Sequence, residues 1–380
     1  RTSSSRRYSR NDEILEMNTW MQEALALARR GEGRVSPNPA VGAVLVQDGD
    51  IVGRGFHTYA QVKHAEILAL EDAGERARGA TLYITLEPCS HQGRTPPCAD
   101  ALVKAGVARV IAAMEDPNPL VAGKGFRRLH DAGVAVEVAS EFAEEAAQLN
   151  EAFVHSMRTG RPLVTLKAAL TLDGKIAAPE DNTGWITSER ARAHVQQIRH
   201  NSDAILTGIG TVLADDCLLT DRTGRERSRP LLRIVADSTL RLPLESRIVT
   251  SGSGDVTIIT TSAASEERRR ALEYRGIRVL VFDGPGGRTD LDQLIAWLAR
   301  EQYRSLMIES GSKLNWAALE SGVVDKVMFY YAPKILGGLQ SLPVVGGTGR
   351  PRRMDAIQLQ RVKLHTIPPD EFAVEAWVEK

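Results

Sequence analysis

Three residues of zinc-binding type stand in one ordered run: His64 in His64-Ala65-Glu66, Cys89 after Pro88, and Cys98 nine positions later. One imidazole and two thiolates are three soft-to-borderline ligands that leave a fourth tetrahedral position for water, the catalytic form of a zinc site. Two thiolates neutralise the dication, and a water held there has its pKa lowered towards about 7. Glu66 is then a proton carrier and no ligand, moving protons between that water and the group it attacks. Residues at i and i+2 of a mid-helix point apart, so His64 and Glu66 share a site only where the chain enters a helix. A helix N-terminus at Cys98 would help keep that sulfur deprotonated. The alternative is a buried cysteine pair and a surface His-Ala-Glu that never meet.

His-x-Glu followed by Pro-Cys is the pattern of zinc nucleobase deaminases, whose cysteines are spaced Cys-x-x-Cys. Here eight residues separate them, and the insert Ser90 to Pro97 puts His91 and Arg94 beside the metal, where a phosphorylated or polyhydroxylated substrate can be held. A second group of candidates begins at Lys167, a charge in an otherwise apolar strand, costly unless it has a partner or a task. A structural ion pair is the alternative there. Gly208-Ile209-Gly210-Thr211, followed by Asp215-Asp216, lets a backbone approach a ligand closely but lacks the third glycine of a dinucleotide fingerprint. Glu309-Ser310-Gly311-Ser312 is stronger, because a strand running through such a turn into a helix presents free N–H groups to a phosphate.

These residues need two α/β frames. Thr19 and Gln22 form a capping-box pattern ahead of Met21, Ala24, Leu25 and Ala28, so ordered structure is expected from Asn18 or Thr19. Residues 1–17 open with an Arg- and Ser-rich stretch and are expected to be a disordered tail, an expression remnant or a cut targeting peptide. A hairpin over 41–52, a helix from His64, a strand over 82–86, a helix over 99–104 and a strand over 107–112 follow. A continuous helix is expected over 141–157, stopped by Thr159-Gly160-Arg161-Pro162, which sets domains at 18–160 and 161–380. The second domain alternates again: strands at 163–169, 204–207, 231–236, 256–260, 279–282 and 305–308, helices at 188–199, 266–274 and 291–300, and two late strands.

Composition narrows the partners. The 380 residues carry 48 Lys+Arg against 48 Asp+Glu and only 5% aromatics, which speaks against a nucleic-acid binder. No apolar run approaches the roughly 18 residues of a membrane span, and three cysteines are too few for a disulfide scaffold and suit a reducing compartment.

Pro37-Asn38-Pro39-Ala40-Val41-Gly42, His64-Ala65-Glu66, the run Pro88 to Cys98 and the run Asp116 to Gly125 resemble the deaminase half of the bifunctional riboflavin-biosynthesis deaminase/reductase family. Lys167, Thr171 to Gly174, Trp185 to Ser188, Thr211 to Asp216, Asp237-Ser238, Glu309-Ser310-Gly311 and Ala332 to Gly337 resemble its reductase half. The resemblance covers the chain from about Trp20 onward. It implies a cytidine-deaminase-like α/β/α zinc domain followed by a dihydrofolate-reductase-like α/β domain. His64, Cys89 and Cys98 become the zinc ligands and Glu66 the catalyst, with Asn38, His57, His91, Arg94, Asp116 and Asn118 on the substrate side. It implies NADPH, contacted at Ala169, Trp185, Thr211, Asp215, Ser238 and the turn Gly311, Ser312, Lys313, Leu314, Asn315, Trp316 and Ala317. Thr183, Arg199, Leu219, Arg222 and Glu309 would hold a ribityl-phosphate substrate, Arg199 and Arg222 as a phosphate clamp. Lys167 and Asp215 are candidates for orienting that substrate or supplying a proton.

The implied chemistry is hydrolytic deamination of a pyrimidine ribosylamine phosphate, then reduction of its sugar. The competing reading is a zinc deaminase with a catalytically silent, nucleotide-binding C-terminal domain. Likeness to bacterial forms implies the cytoplasm, and a homo-oligomer is expected. Two departures stand out: the family has Ala-Gly-x-Pro where this chain has Ala60-Gln61-Val62-Lys63, and Pro after Asp-Asp where it has Cys217, read as a loop filler.

Overall fold

Helix α1 (Arg10–Arg29) starts two turns ahead of Thr19. The run 10–18 holds no Pro or Gly to stop a helix. Thr19 and Gln22 therefore lie mid-helix and cap nothing, which corrects the expected start. The structure is a computed structural model that describes residues 10–93, 96–119, 121–180 and 183–380; the rest of the expected tail, 1–9, lies outside the described residues. The chain divides into two units, Arg1–Gly160 and Arg161–Lys380.

In unit 1, α1 is followed by β1 (Gly42–Gln47), β2 (Asp50–Phe56), α2 (Ala65–Ala73), β3 (Thr81–Ile84), α3 (Cys98–Ala105), β4 (Arg109–Ala112), α4 (Lys124–Asp131), β5 (Ala135–Val138), α5 (Ala143–Leu149) and α6 (Glu151–Thr159). The hairpin β1–β2 turns through Asp48 and Gly49, both at positive φ (53° and 83°), as a two-residue loop of matching twist requires. The sheet runs β2-β1-β3-β4-β5, antiparallel through the hairpin and β3, parallel thereafter. The inner strands β1, β3 and β4 are apolar on both sides because both sides are covered. Ala43, Leu45, Leu82, Ile84 and Val110 pack with α2, α3 and α4; Val44, Val46, Tyr83 and Ile111 pack with α1 and the helices after β5.

Two contacts set where site residues fall. Helix α2 lies directly on β2: a Cβ added at Gly55 would sit 2.1 Å from the Ala65 carbonyl oxygen, and one at Gly53 2.2 Å from that of Ala69. The expected helix 141–157 breaks at Asn150. Its side chain pairs with Ala40 as a backbone would, Oδ1 accepting the N–H at 2.7 Å and Nδ2 donating to the carbonyl at 2.9 Å. That tether holds the Asn38-Pro39-Ala40 segment, and the helix yields to it.

Unit 2 comprises β6 (Leu163–Thr171), β7 (Lys175–Ala177), α7 (Glu189–Asn201), β8 (Ala204–Gly208), α8 (Ile209–Asp215), β9 (Leu232–Ala236), α9 (Arg247–Thr250), β10 (Val256–Thr260), α10 (Glu266–Tyr274) and β11 (Arg278–Val281). Then come α11 (Leu291–Arg300), β12 (Ser305–Glu309), α12 (Ser312–Glu320), β13 (Lys326–Ala332), β14 (Leu342–Pro343), β15 (Leu359–Ile367) and β16 (Glu371–Val378). Nine strands form one sheet, β11-β10-β9-β8-β12-β6-β13-β16-β15, parallel from β11 to β13 and antiparallel beyond. The chain leaves β6, builds outward to β11, and returns to insert β12 between β8 and β6. Such a reversal opens a crevice at the carboxyl ends of those strands, where ligands bind in open α/β sheets. Among the described residues no helix is long and apolar enough to cross a membrane.

Gly55→Ala must push α2 off β2. The expected cost is about 1–3 kcal/mol, the usual penalty of overpacking, read as a lower denaturation midpoint for unit 1; an unchanged midpoint would show that α2 does not depend on this approach.

Candidate active sites

In unit 1 the last extended residue before α2 is His64 (φ −78°, ψ 162°), the helix N-cap, and Glu66 is its second helical residue. The change from extended to helical backbone between them turns both side chains to one side. Cys98 is the first residue of α3, with Pro97 at the N-cap position, and Cys89 lies on the segment that follows β3. The His64 Nδ1 atom is 3.2 Å from Cys98 Sγ and 3.6 Å from Cys89 Sγ. A nitrogen and a sulfur on neighbouring corners of a zinc tetrahedron lie roughly 3.5 Å apart, given bond lengths of about 2.0 and 2.3 Å. The donor set and its spacing therefore fit the metal. Among the described residues this is the one group whose ligand atoms converge so.

The N-terminus of α3 acts on the other sulfur than expected: the Cys98 N–H donates to Cys89 Sγ at 3.3 Å. A hydrogen bond from the Cys98 thiol, with help from that N–H and from His64, pushes the Cys89 thiol down to about 4 against the effect of burial. Glu66 is 4% exposed, and burial first, then the Cys89 sulfur, pushes its carboxyl up to about 7.

His57, buried beside His64 with ring centroids 5.3 Å apart, has Nδ1 2.9 Å from the Lys63 carbonyl and Nε2 3.1 Å from Asn38 Nδ2. A carbonyl only accepts, so the proton sits on Nδ1 and Nε2 accepts from Asn38. The loop that supplies this carbonyl carries Val62 at φ 62°, a left-handed conformation disfavoured for a β-branched residue; it takes the place of the flexible Gly-x-Pro. Asp116 accepts the Asn118 N–H at 2.8 Å, and burial raises its carboxyl, with exposed His91 near enough to oppose that rise. Arg94 lies outside the described residues. Glu87 is not among the expected site residues, yet its buried carboxylate accepts the N–H groups of Asp116, Gly123, Gly125 and Phe126. Its signal was faint: one acid among the apolar residues that end a strand.

In unit 2 a cleft of about 3040 Å³ opens at the carboxyl ends of β6, β8, β9 and β12. That is several times the roughly 300–1,000 Å³ of a single-ligand pocket. Lys167, Ala169, Thr183, Trp185, Arg199, Thr211, Asp215, Leu219, Arg222, Ser238, Glu309, Gly311, Ser312, Lys313, Leu314 and Ala317 all line it. Asn315 and Trp316 do not. They sit on the buried side of α12, Asn315 donating to the Val344 carbonyl at 2.8 Å and Trp316 pressed on Gly347, where the helix period turns them from the cleft.

The floor of the cleft is an ion triad. Lys167 Nζ donates to Glu309 Oε1 at 2.8 Å, and Arg199 donates from Nε and Nη2 to Oε2 at 3.0 and 2.7 Å. The third Arg199 nitrogen donates to the Thr220 carbonyl at 3.0 Å. Three of the five Arg199 N–H donors are thus taken by protein partners, yet the residue lines the cleft, and Arg222 stands exposed on the cleft wall. Lys167 has the ion pair weighed as its structural alternative, yet faces the cleft as well. At the rim, Trp185 is 66% exposed under the Arg192 guanidinium (4.7 Å), and Lys334 donates to its carbonyl. Asp173 joins two of the quoted motifs, accepting from Thr171 Oγ1 and from the N–H groups of Leu336 and Gly337.

Comparison with known proteins agrees with this division. Residues 16–114 match the cytidine and deoxycytidylate deaminase zinc-binding region, and residues 162–371 match the RibD C-terminal domain. The riboflavin biosynthesis protein RibD of Actinobacillus pleuropneumoniae is 43% identical over 353 residues, covering 92% of this chain and 93% of that one. The structure of Acinetobacter baumannii RibD is similar with a TM-score of 0.85 at 37% identity, over 97% of this chain and all of that one. A Thermotoga maritima diaminohydroxyphosphoribosylaminopyrimidine deaminase/5-amino-6-(5-phosphoribosylamino)uracil reductase is similar with a TM-score of 0.80 at 32% identity, with the same coverage.

Burial alone would raise the Glu309 carboxyl, but Lys167 and Arg199 hold it down to about 2. A depressed carboxyl stabilises the fold above its ordinary pKa of about 4.3, and that contribution is lost as the pH falls through the folded value. Glu309→Gln should cost about 3 kcal/mol at pH 7, and the gap to the parent should narrow between about pH 4.5 and 2 in denaturant titrations; a gap constant with pH would contradict the triad.

Proposed function

The chain belongs to the RibD family and is a bifunctional deaminase and reductase of riboflavin biosynthesis; from that premise we propose how its residues divide the two steps. The substrate is a 2,5-diamino-6-ribosylamino-4(3H)-pyrimidinone 5′-phosphate, and the product 5-amino-6-ribitylaminouracil 5′-phosphate. The carrying observation is His64 Nδ1 within 3.6 Å of both cysteine sulfurs, with Glu66 on the same helix turn. Bound zinc supplies an activated water and bound NADPH a hydride, so that ring amino nitrogen leaves as ammonia and the sugar C1′ is reduced.

His64, Cys89 and Cys98 hold the metal. Glu66, sealed from solvent, would take a proton from the attacking water and pass it to the ring nitrogen, then move the added hydroxyl's proton to the amino group that leaves as ammonia. Asn38, oriented by His57, and Asp116 with Asn118 face the pyrimidine and its sugar; His91 and Arg94 serve the polar end. In unit 2, Ala169, Trp185, Thr211, Asp215, Ser238 and the cleft-facing residues of Gly311 to Ala317 take the dinucleotide. Lys167, fixed by Glu309, orients the ribosyl chain or supplies its proton, and Asp215 is the second group placed to do so. Arg222, with Thr183 and Leu219, receives the phosphate end. The silent-domain alternative is not favoured, because residues 162–371 match the RibD C-terminal domain and the cleft keeps its charged Lys167–Glu309–Arg199 floor.

The partners are small molecules. We keep the homo-oligomer as a proposal, supported by β15, a terminal strand of the large sheet with Val362 and Leu364 exposed. The cytoplasm is the compartment this chemistry suits.

Glu66→Gln should lower ammonia release by about 10²–10⁴-fold and leave NADPH oxidation with the deaminated intermediate unchanged. Full deaminase activity in that variant would refute the assignment.

A further inference from the structure

Glu87 is 5% exposed, has no part in the chemistry above, and is not one of the three residues whose ligand atoms converge. Its carboxylate nonetheless gathers four backbone donors from residues about thirty to forty positions downstream. Oε2 accepts from Asp116 at 3.0 Å and Gly123 at 2.9 Å; Oε1 accepts from Gly125 at 2.7 Å and Phe126 at 3.2 Å. Two carboxylate oxygens offer about four lone-pair sites, so its capacity is filled. Gly123, Gly125 and Phe126 are the N-cap and early residues of α4, whose N–H groups no side chain at the cap position accepts. The Glu87 N–H in turn donates to the Met114 carbonyl at 3.0 Å. The two segments also touch without side chains between them: a Cβ at Gly125 would fall 1.9 Å from the Pro88 carbonyl oxygen.

The ends of this clasp matter. Two residues along the chain from Glu87 is Cys89, a metal ligand. On the other side, the N–H it holds belongs to Asp116, which orders Asn118 and feels the charge of His91. A helix cap alone is met by one neutral Ser or Asn; a buried, charged acceptor spanning a loop and a helix start fixes geometry between two parts of a site. We propose that Glu87 is a positioning residue of the deaminase, setting the distance between the metal ligand segment and the Asp116–Asn118 wall, and so governing substrate affinity more than metal binding or proton transfer. The inference rests on the deaminase reading of unit 1.

Gln at this position keeps one acceptor oxygen and turns an NH₂ group towards two N–H donors, whereas Asp keeps both acceptors on a shorter arm. The test uses the full-length, zinc-loaded chain with the pyrimidine substrate, following ammonia release, zinc content, and NADPH oxidation on the deaminated intermediate. Glu87→Gln should raise the deaminase KM about tenfold, the equivalent of roughly 1.4 kcal/mol, with kcat within about threefold, one zinc per chain and an unchanged reductase rate. Glu87→Asp should fold, keep its zinc and recover part of the loss. An unchanged KM in a zinc-bound Glu87→Gln protein, or a fall in kcat alone, overturns the proposal. Zinc loss in both variants also overturns it, by making Glu87 a support of the metal site itself. Failure of the parent chain to release ammonia would instead strike the deaminase reading, so the two failures are told apart.

Discussion

An imidazole nitrogen and two sulfurs meet within 3.2 to 3.6 Å of nitrogen–sulfur spacing only if two helices begin at the same place, and unit 1 is organised around that constraint. Helix α2 must start at His64, which the close approach of Ala65 to Gly55 secures. Helix α3 must start at Cys98, where its first N–H is taken up by the Cys89 sulfur. The hydrogen bond shows the direction of the economy: the helix end and the ligand each satisfy what the other would leave open. Glu66 inherits its burial and its place from the same helix entry.

Unit 2 solves a different problem. Its cleft must receive an anionic sugar phosphate and a dinucleotide, yet its most buried cations, Lys167 and Arg199, are committed to Glu309. Two cations share one carboxylate there, so the floor keeps a net positive charge while Glu309 offsets part of the cost of burying them. Cations that remain for phosphates stand higher on the walls, as Arg222 does.

Much of this was legible in the residues. His64, Glu66, Cys89 and Cys98 were readable because metal chemistry restricts residue type and spacing, and the i, i+2 pair already demanded a helix entry. Strands β6, β8, β9, β10 and β12 were readable as apolar runs, since a parallel sheet covered on both faces leaves few other solutions. What escaped depended on tertiary partners. Asn150 breaks a good helical pattern because its amide is claimed by Ala40. Helix α4 and strand β5 were passed over: α4 is short and largely polar, its start held by Glu87, and β5 is a four-residue edge strand. The Arg199 pairing with Glu309 escaped because no local signal reveals a glutamate 110 positions away. Asn315 and Trp316 were read as ligand contacts by their place in a motif, whereas α12 turns them inward.

The central claim is an open zinc site built from one nitrogen and two sulfurs at facing helix entries. X-ray absorption at the zinc edge of the metal-loaded, full-length chain measures that shell directly. The structure predicts one zinc per chain with two sulfur neighbours at about 2.3 Å and two nitrogen or oxygen neighbours at about 2.0–2.1 Å; a shell of four sulfurs, or one with none, would contradict it.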